Sequence, residues 1–244
     1  KRDIIKTITA GTLTETSLLK SNMNNYLASI IKDKKTNLYG FAYTDISTGE
    51  FKVTQTSYEQ LLSELSRIKP SEIVVPKISQ KVLPFQIVGN ELIDLPEEIT
   101  NNYNCSKMSY NAFDEERTKK NMKEIFKVES AETFGFSQFK TGFCAAGAIF
   151  EYLYKTQKDN FPKFEKIDTY SLTQYVSIDA NTRRNLELTE TSRDKAKYGS
   201  LLWAIDKTAT NMGSRQLKKW IHQPLKNIEK ITERHNAVQE LIEN

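Results

Sequence analysis

Asn24-Asn25-Tyr26-Leu27-Ala28-Ser29-Ile30-Ile31, Leu38-Tyr39-Gly40-Phe41-Ala42-Tyr43-Thr44-Asp45-Ile46 and Phe51-Lys52-Val53-Thr54 share a period of two and are rich in aromatic and β-branched residues. Runs of this kind read as strands. Lys32 to Asn37 is polar and reads as a hairpin loop, and Ser47-Thr48-Gly49 as a tight turn whose glycine supplies a positive φ. Tyr58, Leu61, Leu62, Leu65 and Ile68 then recur at helical spacing. Three antiparallel strands are therefore followed by a helix over Tyr58 to Ile68, which Pro70 ends.

Glu72-Ile73-Val74-Val75 reads as a short buried strand, and Gln80 to Val88 as a helix despite Pro84. Leu95 to Cys105, with Pro96 and Asn101-Asn102-Tyr103-Asn104, reads as an exposed loop. Asp114 to Phe126 is a polar helix with Met122, Ile125 and Phe126 as its apolar contacts. Thr141 to Lys155 is apolar nearly all round, so it is a buried helix, and its small residues permit close backbone approach. The pattern predicts an α/β or α+β domain ending near Phe164. After Ser177 the strand signals stop. Thr182 to Leu188, Ser200 to Lys207, Gly213 to Ile221 and Ile228 to Ile242 all read as helices. Gly213, Leu217, Trp220 and Ile221 share one face. Asn227 is the N-cap of the last helix, whose stripe is Ile228, Ile231, His235, Val238 and Ile242. No partner element follows this helical part, so a piece of a longer protein is expected.

Composition bounds the class. The 244 residues allow one or two domains, and 38% hydrophobic with 27% charged residues is ordinary for a globular chain. The longest apolar run, Phe143 to Phe150, is far shorter than the ~20 residues that a membrane span needs. The start, Lys1-Arg2-Asp3-Ile4-Ile5, carries no signal core, which makes a cytoplasmic location the expectation. A net charge of +4 is only a weak lean towards polyanions. Of the two cysteines, Cys144 lies in an apolar run and reads as a small hydrophobe. Without a CxxC pair, neither a disulfide framework nor a zinc site is expected with Cys105.

Motifs for chemistry are missing: no GxxxxGK[ST], GxSxG, HExxH or EF-hand spacing occurs. Asp45, Glu50, Asp114 and Glu115 are the one acidic set with catalytic potential, because an RNase H-like nuclease holds two divalent ions on such carboxylates. The competing reading, which is preferred, is that Asp45 caps its own turn. Lys119, Lys120 and Lys123 lie on one helix, and Arg215, Lys218 and Lys219 on another. Either set could meet phosphate or an acidic partner, or be a solvated face. His235 reads as a packing residue, and His222 as the end of a helix. Of Arg183 and Arg184, at least one should pair with a carboxylate such as Asp179 or Glu187.

Two runs carry more information than any of these. Asp179-Ala180-Asn181-Thr182-Arg183-Arg184-Asn185-Leu186-Glu187-Leu188, Gly199-Ser200-Leu201-Leu202-Trp203 with Asp206 and Thr208, and Met212-Gly213-Ser214-Arg215 with Leu217, Trp220, Ile221, Pro224 and Leu225 resemble the start of the core (lever) domain of the MutS family of DNA mismatch repair proteins. Thr9-Ala10-Gly11-Thr12 resembles that family's Thr-Pro-Gly-Thr, and Tyr43-Thr44-Asp45-Ile46-Ser47-Thr48-Gly49-Glu50-Phe51 its connector domain. Phe113-Asp114-Glu115 repeats the letters of the family's mismatch-reading Phe-x-Glu but stands in the connector, so it is a coincidence. The resemblance implies an RNase H-like α/β connector, a mixed sheet flanked by helices, over 15–165, followed by an all-α partial core over 166–244, with 1–14 as a linker. It implies no catalytic, cofactor or metal residue in this chain, with ATP and Mg2+ bound elsewhere in the parent. It also implies a parent that couples mismatched duplex DNA to ATPase state, docks MutL and forms a MutS homodimer. Lys119, Lys120 and Lys123 are the MutL-facing candidates and Arg215, Lys218 and Lys219 the phosphate-facing ones. Asp179, Thr182, Arg183, Arg184, Asn185, Gly213, Arg215 and Trp220 form the structural motif. A metal-dependent nuclease and a stand-alone basic DNA-binding module are the alternatives.

Overall fold

A computed structural model describes residues 6–13, 24–78, 92–93 and 95–243. The three opening runs are strands β1 (Tyr26–Lys32), β2 (Tyr39–Asp45) and β3 (Glu50–Thr56), paired antiparallel in sequence order. Helix α1 (Tyr58–Ile68) follows, capped by Ser57 and closed by Lys69 in the left-handed region just before Pro70. β4 (Glu72–Ile78) returns parallel to β1. The helix expected over Gln80 to Val88 lies outside the described residues. Beyond it come the short β5 (Leu92–Ile93), α2 (Glu97–Asn102), β6 (Cys105–Ser109), α3 (Glu115–Phe126), α4 (Lys140–Gln157) and β7 (Asp168–Thr169). The sheet is mixed, ordered β5-β4-β1-β2-β3-β7 with β6 also parallel on β4.

The exposed loop expected over Leu95 to Cys105 is corrected: it holds α2 and the start of β6. Pro96 directly precedes α2, and Glu97 and Glu98 complement the positive helix start. Ile99 is fully buried as the helix's apolar anchor. β6 is missed for a related reason, since it lies at a sheet edge and is held by pairing with β4 rather than by an apolar face. β7 is too short to carry a pattern.

The period of two in β1–β3 does not separate core from solvent. Every residue of β2 is buried. Leu27, Ile31, Ala42, Phe51 and Val53 face α3 and α4, whereas Ala28, Ile30, Tyr39, Phe41 and Tyr43 face α1. Alternation here sorts side chains between two cores. On the first side α4 presses close: a Cβ added at Gly40 would lie 2.0 Å from Thr141 O, and one at Gly147 1.9 Å from Thr118 Oγ1. Gly147 of the buried helix is therefore needed for contact with α3, as expected, and Gly40 of β2 for contact with the helix itself. Cys144 is buried there, and burial pushes its thiol up to about 11.

On the other side, a charge pair lies under α1. Arg67 Nε donates to Glu64 Oε1 at 2.8 Å and Nη2 to Oε2 at 2.6 Å, with both side chains no more than 7% exposed. Tyr170 OH donates to the same Glu64 Oε2 at 2.6 Å. The Tyr170 backbone is held as well: its N–H donates to Val53 O at 3.1 Å, and its carbonyl accepts from Thr54 Oγ1 at 2.7 Å. Burial pushes the Tyr170 hydroxyl far above its ordinary value, so it stays a donor.

By contact the chain divides into a sheet unit, which includes Asn24–Tyr170, and a helical unit, which includes Ser171–Asn244. The helical unit contains α5 (Ala180–Asn185), α6 (Leu201–Ile205), α7 (Asn211–His222) and α8 (Ile228–Glu243). α5 stops before Leu188 because Glu187 adopts φ +47°, and Leu188 O instead accepts from Leu202 N at the head of α6. Asn227 caps α8 as expected, accepting from Lys230 N at 2.9 Å. The packing stripe on α8 is corrected in part: Ile231 is half-buried, but Ile228, His235, Val238 and Ile242 are exposed.

Two stability measurements check these contacts by urea unfolding. Gly147→Ala should cost about 2 kcal/mol through overpacking, and the cost should shrink in a Thr118→Ala background, where the obstructing hydroxyl is gone. Glu64→Ala should cost about 3–5 kcal/mol because it strands the buried guanidinium, whereas Glu64→Leu with Arg67→Met should cost less than the single change.

Candidate functional site

The acidic set does not converge. Asp45 is 1% exposed, and its carboxylate is taken up by its turn: Oδ1 accepts from Ser47 N at 2.9 Å and Ser47 Oγ at 2.6 Å, and Oδ2 from Asn25 N at 3.3 Å. Gly49 closes the turn at φ +73°, its N–H donating to Asp45 O at 2.9 Å. Glu50, at the start of β3, accepts from Tyr26 OH of β1 at 3.1 Å. Asp114 caps α3 by accepting from Arg117 N at 2.9 Å, and Phe113 is buried, so the Phe-Asp-Glu triplet has a structural use. Glu115 pairs with Lys119 at 2.8 Å and Lys140 at 2.5 Å, which hold its carboxyl below the usual range. Among the described residues, no three His, Cys, Asp or Glu side chains gather to hold a metal ion. No described helix is long and apolar enough to cross a membrane.

A buried and densely bonded carboxylate that the sequence did not single out is Glu72, at the start of β4. It is 2% exposed and accepts four hydrogen bonds. Oε2 takes Thr9 Oγ1 at 2.6 Å and Gly11 N at 2.8 Å; Oε1 takes Ser106 Oγ and Tyr152 OH, each at 2.5 Å. Burial alone would raise this carboxyl, but the four donors outweigh it and hold it below the usual range.

Those bonds explain Thr9-Ala10-Gly11-Thr12. The segment forms a 3-10 turn over Ala10–Thr12, with Thr9 N donating to Thr12 Oγ1 at 2.9 Å. A Cβ at Gly11 would come within 2.8 Å of Leu27 Cδ1 and 3.0 Å of Glu72 Cβ, so only glycine lets the strap lie this close. Ala10 occupies the first turn position, where an N–H has no partner within the turn. A proline fits there and alanine loses little. Thr7 N–H also donates to Thr156 O at 2.7 Å, and Asn25 Nδ2 to Ala10 O at 3.0 Å.

The lysines of α3 differ in surroundings. Lys119 pairs with Glu115 and Glu116 and lies 5.2 Å from the Phe136 ring centroid, which makes it part of the fold. Lys120 and Lys123 are exposed, Lys120 lying 3.9 Å from Glu124. Arg215, Lys218 and Lys219 share one face of α7.

In the helical unit, the motif residues act as caps and ties. Asp179 Oδ1 accepts from Asn181 N at 2.8 Å and Thr182 N at 2.9 Å, and Oδ2 from Thr182 Oγ1 at 2.6 Å. Glu187 accepts from Ser192 N at 2.7 Å. Arg183 reaches His222 Nδ1 at 2.7 Å and the carbonyls of His222 and Ile178, tying α5 to the end of α7. Arg184 and Asn185 are exposed on α5. Asp206 accepts from Lys197 Nζ, Thr208 N, Thr208 Oγ1 and Ser214 Oγ, which hold its carboxyl well below the usual range. Thr210 Oγ1 caps α7 by accepting from Gly213 N at 3.0 Å, and the Trp220 ring lies 4.7 Å from the Arg234 guanidinium.

Comparison with known proteins agrees with this division. Residues 25–165 match the family model described as MutS domain II, and residues 181–244 match MutS domain III. The DNA mismatch repair protein MutS of Nostoc punctiforme is 41% identical over 245 residues, covering all of this chain and 27% of that protein. The MutS of Trichormus variabilis is 41% identical with 28% of its length covered, and that of Clostridium botulinum 40% identical with 25% covered. The chain thus spans about a quarter of the length of these relatives. With MutS domain II matched over more than half of its residues, the chain belongs to the MutS family of DNA mismatch repair proteins.

Proposed function

We propose that this chain is the connector and the first part of the core of a longer repair protein. It performs no catalysis of its own and relays the state of mismatched-DNA binding to an ATPase elsewhere in the parent. The observation that carries this reading is that both ends of the sheet unit are pinned by buried carboxylates. Glu72 holds the strap before β1, and Glu64 holds Tyr170 at the far end. A tether that only joined two domains would need neither. A body that transmits displacement needs its chain ends fixed to its core, since slack at either end would absorb the motion. The use of the candidate carboxylates in turns, caps and surface pairs leaves a metal-dependent nuclease without support.

In this reading ATP and Mg2+ are bound outside this chain, in a cytoplasmic parent that works as a homodimer on mismatched duplex DNA. MutL docks on a face that includes α3, with Lys120 and Lys123 meeting acidic groups and Lys119 keeping the helix in place. Arg215, Lys218 and Lys219 are the residues that would approach phosphate.

Charge reversal of Lys120 and Lys123 to Glu in the full-length protein should weaken MutL capture by roughly 3- to 10-fold, mostly at low salt. Capture that is unchanged would remove α3 from the docking face. Salt-sensitive binding of duplex DNA by this chain alone, lost on Lys218→Glu with Lys219→Glu, would favour the basic-module reading instead.

A further inference from the structure

The two oxygens of Glu72 are divided between different parts of the molecule. Oε2 accepts only from the strap, through Thr9 Oγ1 and Gly11 N, and Oε1 only from the frame, through Ser106 Oγ on β6 and Tyr152 OH on α4. No cation takes part: the described partners of Glu72 are three hydroxyls and one amide N–H. The strap has further ties of its own, from Thr7 N to Thr156 O, from Gln157 Nε2 to Thr7 O at 3.3 Å, and from Asn25 Nδ2 to Ala10 O. These fix its edges, and Glu72 fixes its middle.

We infer that Glu72 is a positioning residue that makes residues 7–12 an integral part of the sheet unit, so that whatever precedes them in the parent is carried at a fixed attachment, and that it acts as a hydrogen-bond acceptor rather than as a charge. The consequence for a preceding domain rests on the relay reading above, but the latch itself does not.

The acceptor role has a chemical signature. In Glu72→Gln the side-chain carbonyl can face the strap and accept from Thr9 Oγ1 and Gly11 N. The amide NH2 then faces Ser106 and Tyr152, whose hydroxyl oxygens can accept as readily as their protons can be donated. All four contacts survive with two reversed in direction. In Glu72→Ala all four donors lose their acceptor in a buried site.

The test is hydrogen–deuterium exchange on the full-length protein. Amides of residues 7–12 should exchange at least about tenfold faster in Glu72→Ala and within about twofold of wild type in Glu72→Gln, with β1 amides unchanged in both. No acceleration in Glu72→Ala, or equal acceleration in Glu72→Gln over an intact β1, would overturn the inference. Urea unfolding gives an independent check. Near neutral pH Glu72→Gln should lose clearly less stability than Glu72→Ala; equal losses would also overturn the inference. Mismatch-dependent ATPase separates the latch from the relay: a strap loosened in Glu72→Ala with coupling intact would leave the latch standing and remove the relay reading.

Discussion

The close seating of α4 on the sheet is the constraint on which the rest of the molecule depends. Gly40 and Gly147 allow backbone to approach Thr141 and Thr118 at distances that any Cβ would block. This approach buries the sheet on its α4 side, while α1 buries the other, so β2 has no solvent face at all. A sheet covered on both sides has few places for polar side chains. A carboxylate kept there needs hydrogen-bond donors, because an unpaired buried polar group costs about 1–3 kcal/mol or more.

The two main buried carboxylates follow from that condition. Glu72 and Glu64 each lie where an extended part of the chain meets the core; Glu72 takes its donors from the strap, β6 and α4, and Glu64 takes Arg67 of its own helix together with Tyr170. Their effect is to extend the rigid part of the sheet unit outwards, to Thr9 on one side and to Tyr170 on the other. In the helical unit the exposed Asp179 and the largely covered Asp206 do similar work, capping turns and joining neighbouring segments. The family motifs in this chain therefore serve as caps, close approaches and ties.

Legibility differed by element and for definite reasons. β1 to β4, α1, α3, α4, α7 and α8 carry apolar-pattern or cap signals over four residues or more, and the expected bounds lie close to the observed ones. α2 and β6 were missed because one apolar residue, Ile99, anchors the helix and an edge strand needs no apolar alternation. His235 was misplaced because an apolar stripe indicates what a helix could bury, not whether something lies over it. The turn role of Asp45 was legible, since an Asp two residues before a Ser and four before a Gly is sufficient to build the turn locally.

Local chemistry is therefore what the sequence determined alone: the strand–helix order, the helix ends, the Asp45 turn, and the resemblance held in residues 9–12, 43–51 and 179–225. The tertiary structure alone revealed Glu72 and Glu64. Their partners are as many as 80 and 106 residues away along the chain, and no periodicity marks a side chain whose donors come from other elements. A carboxylate in a strand or helix looks solvent-facing in sequence, and only the packed fold supplies the distant donors that let it remain buried.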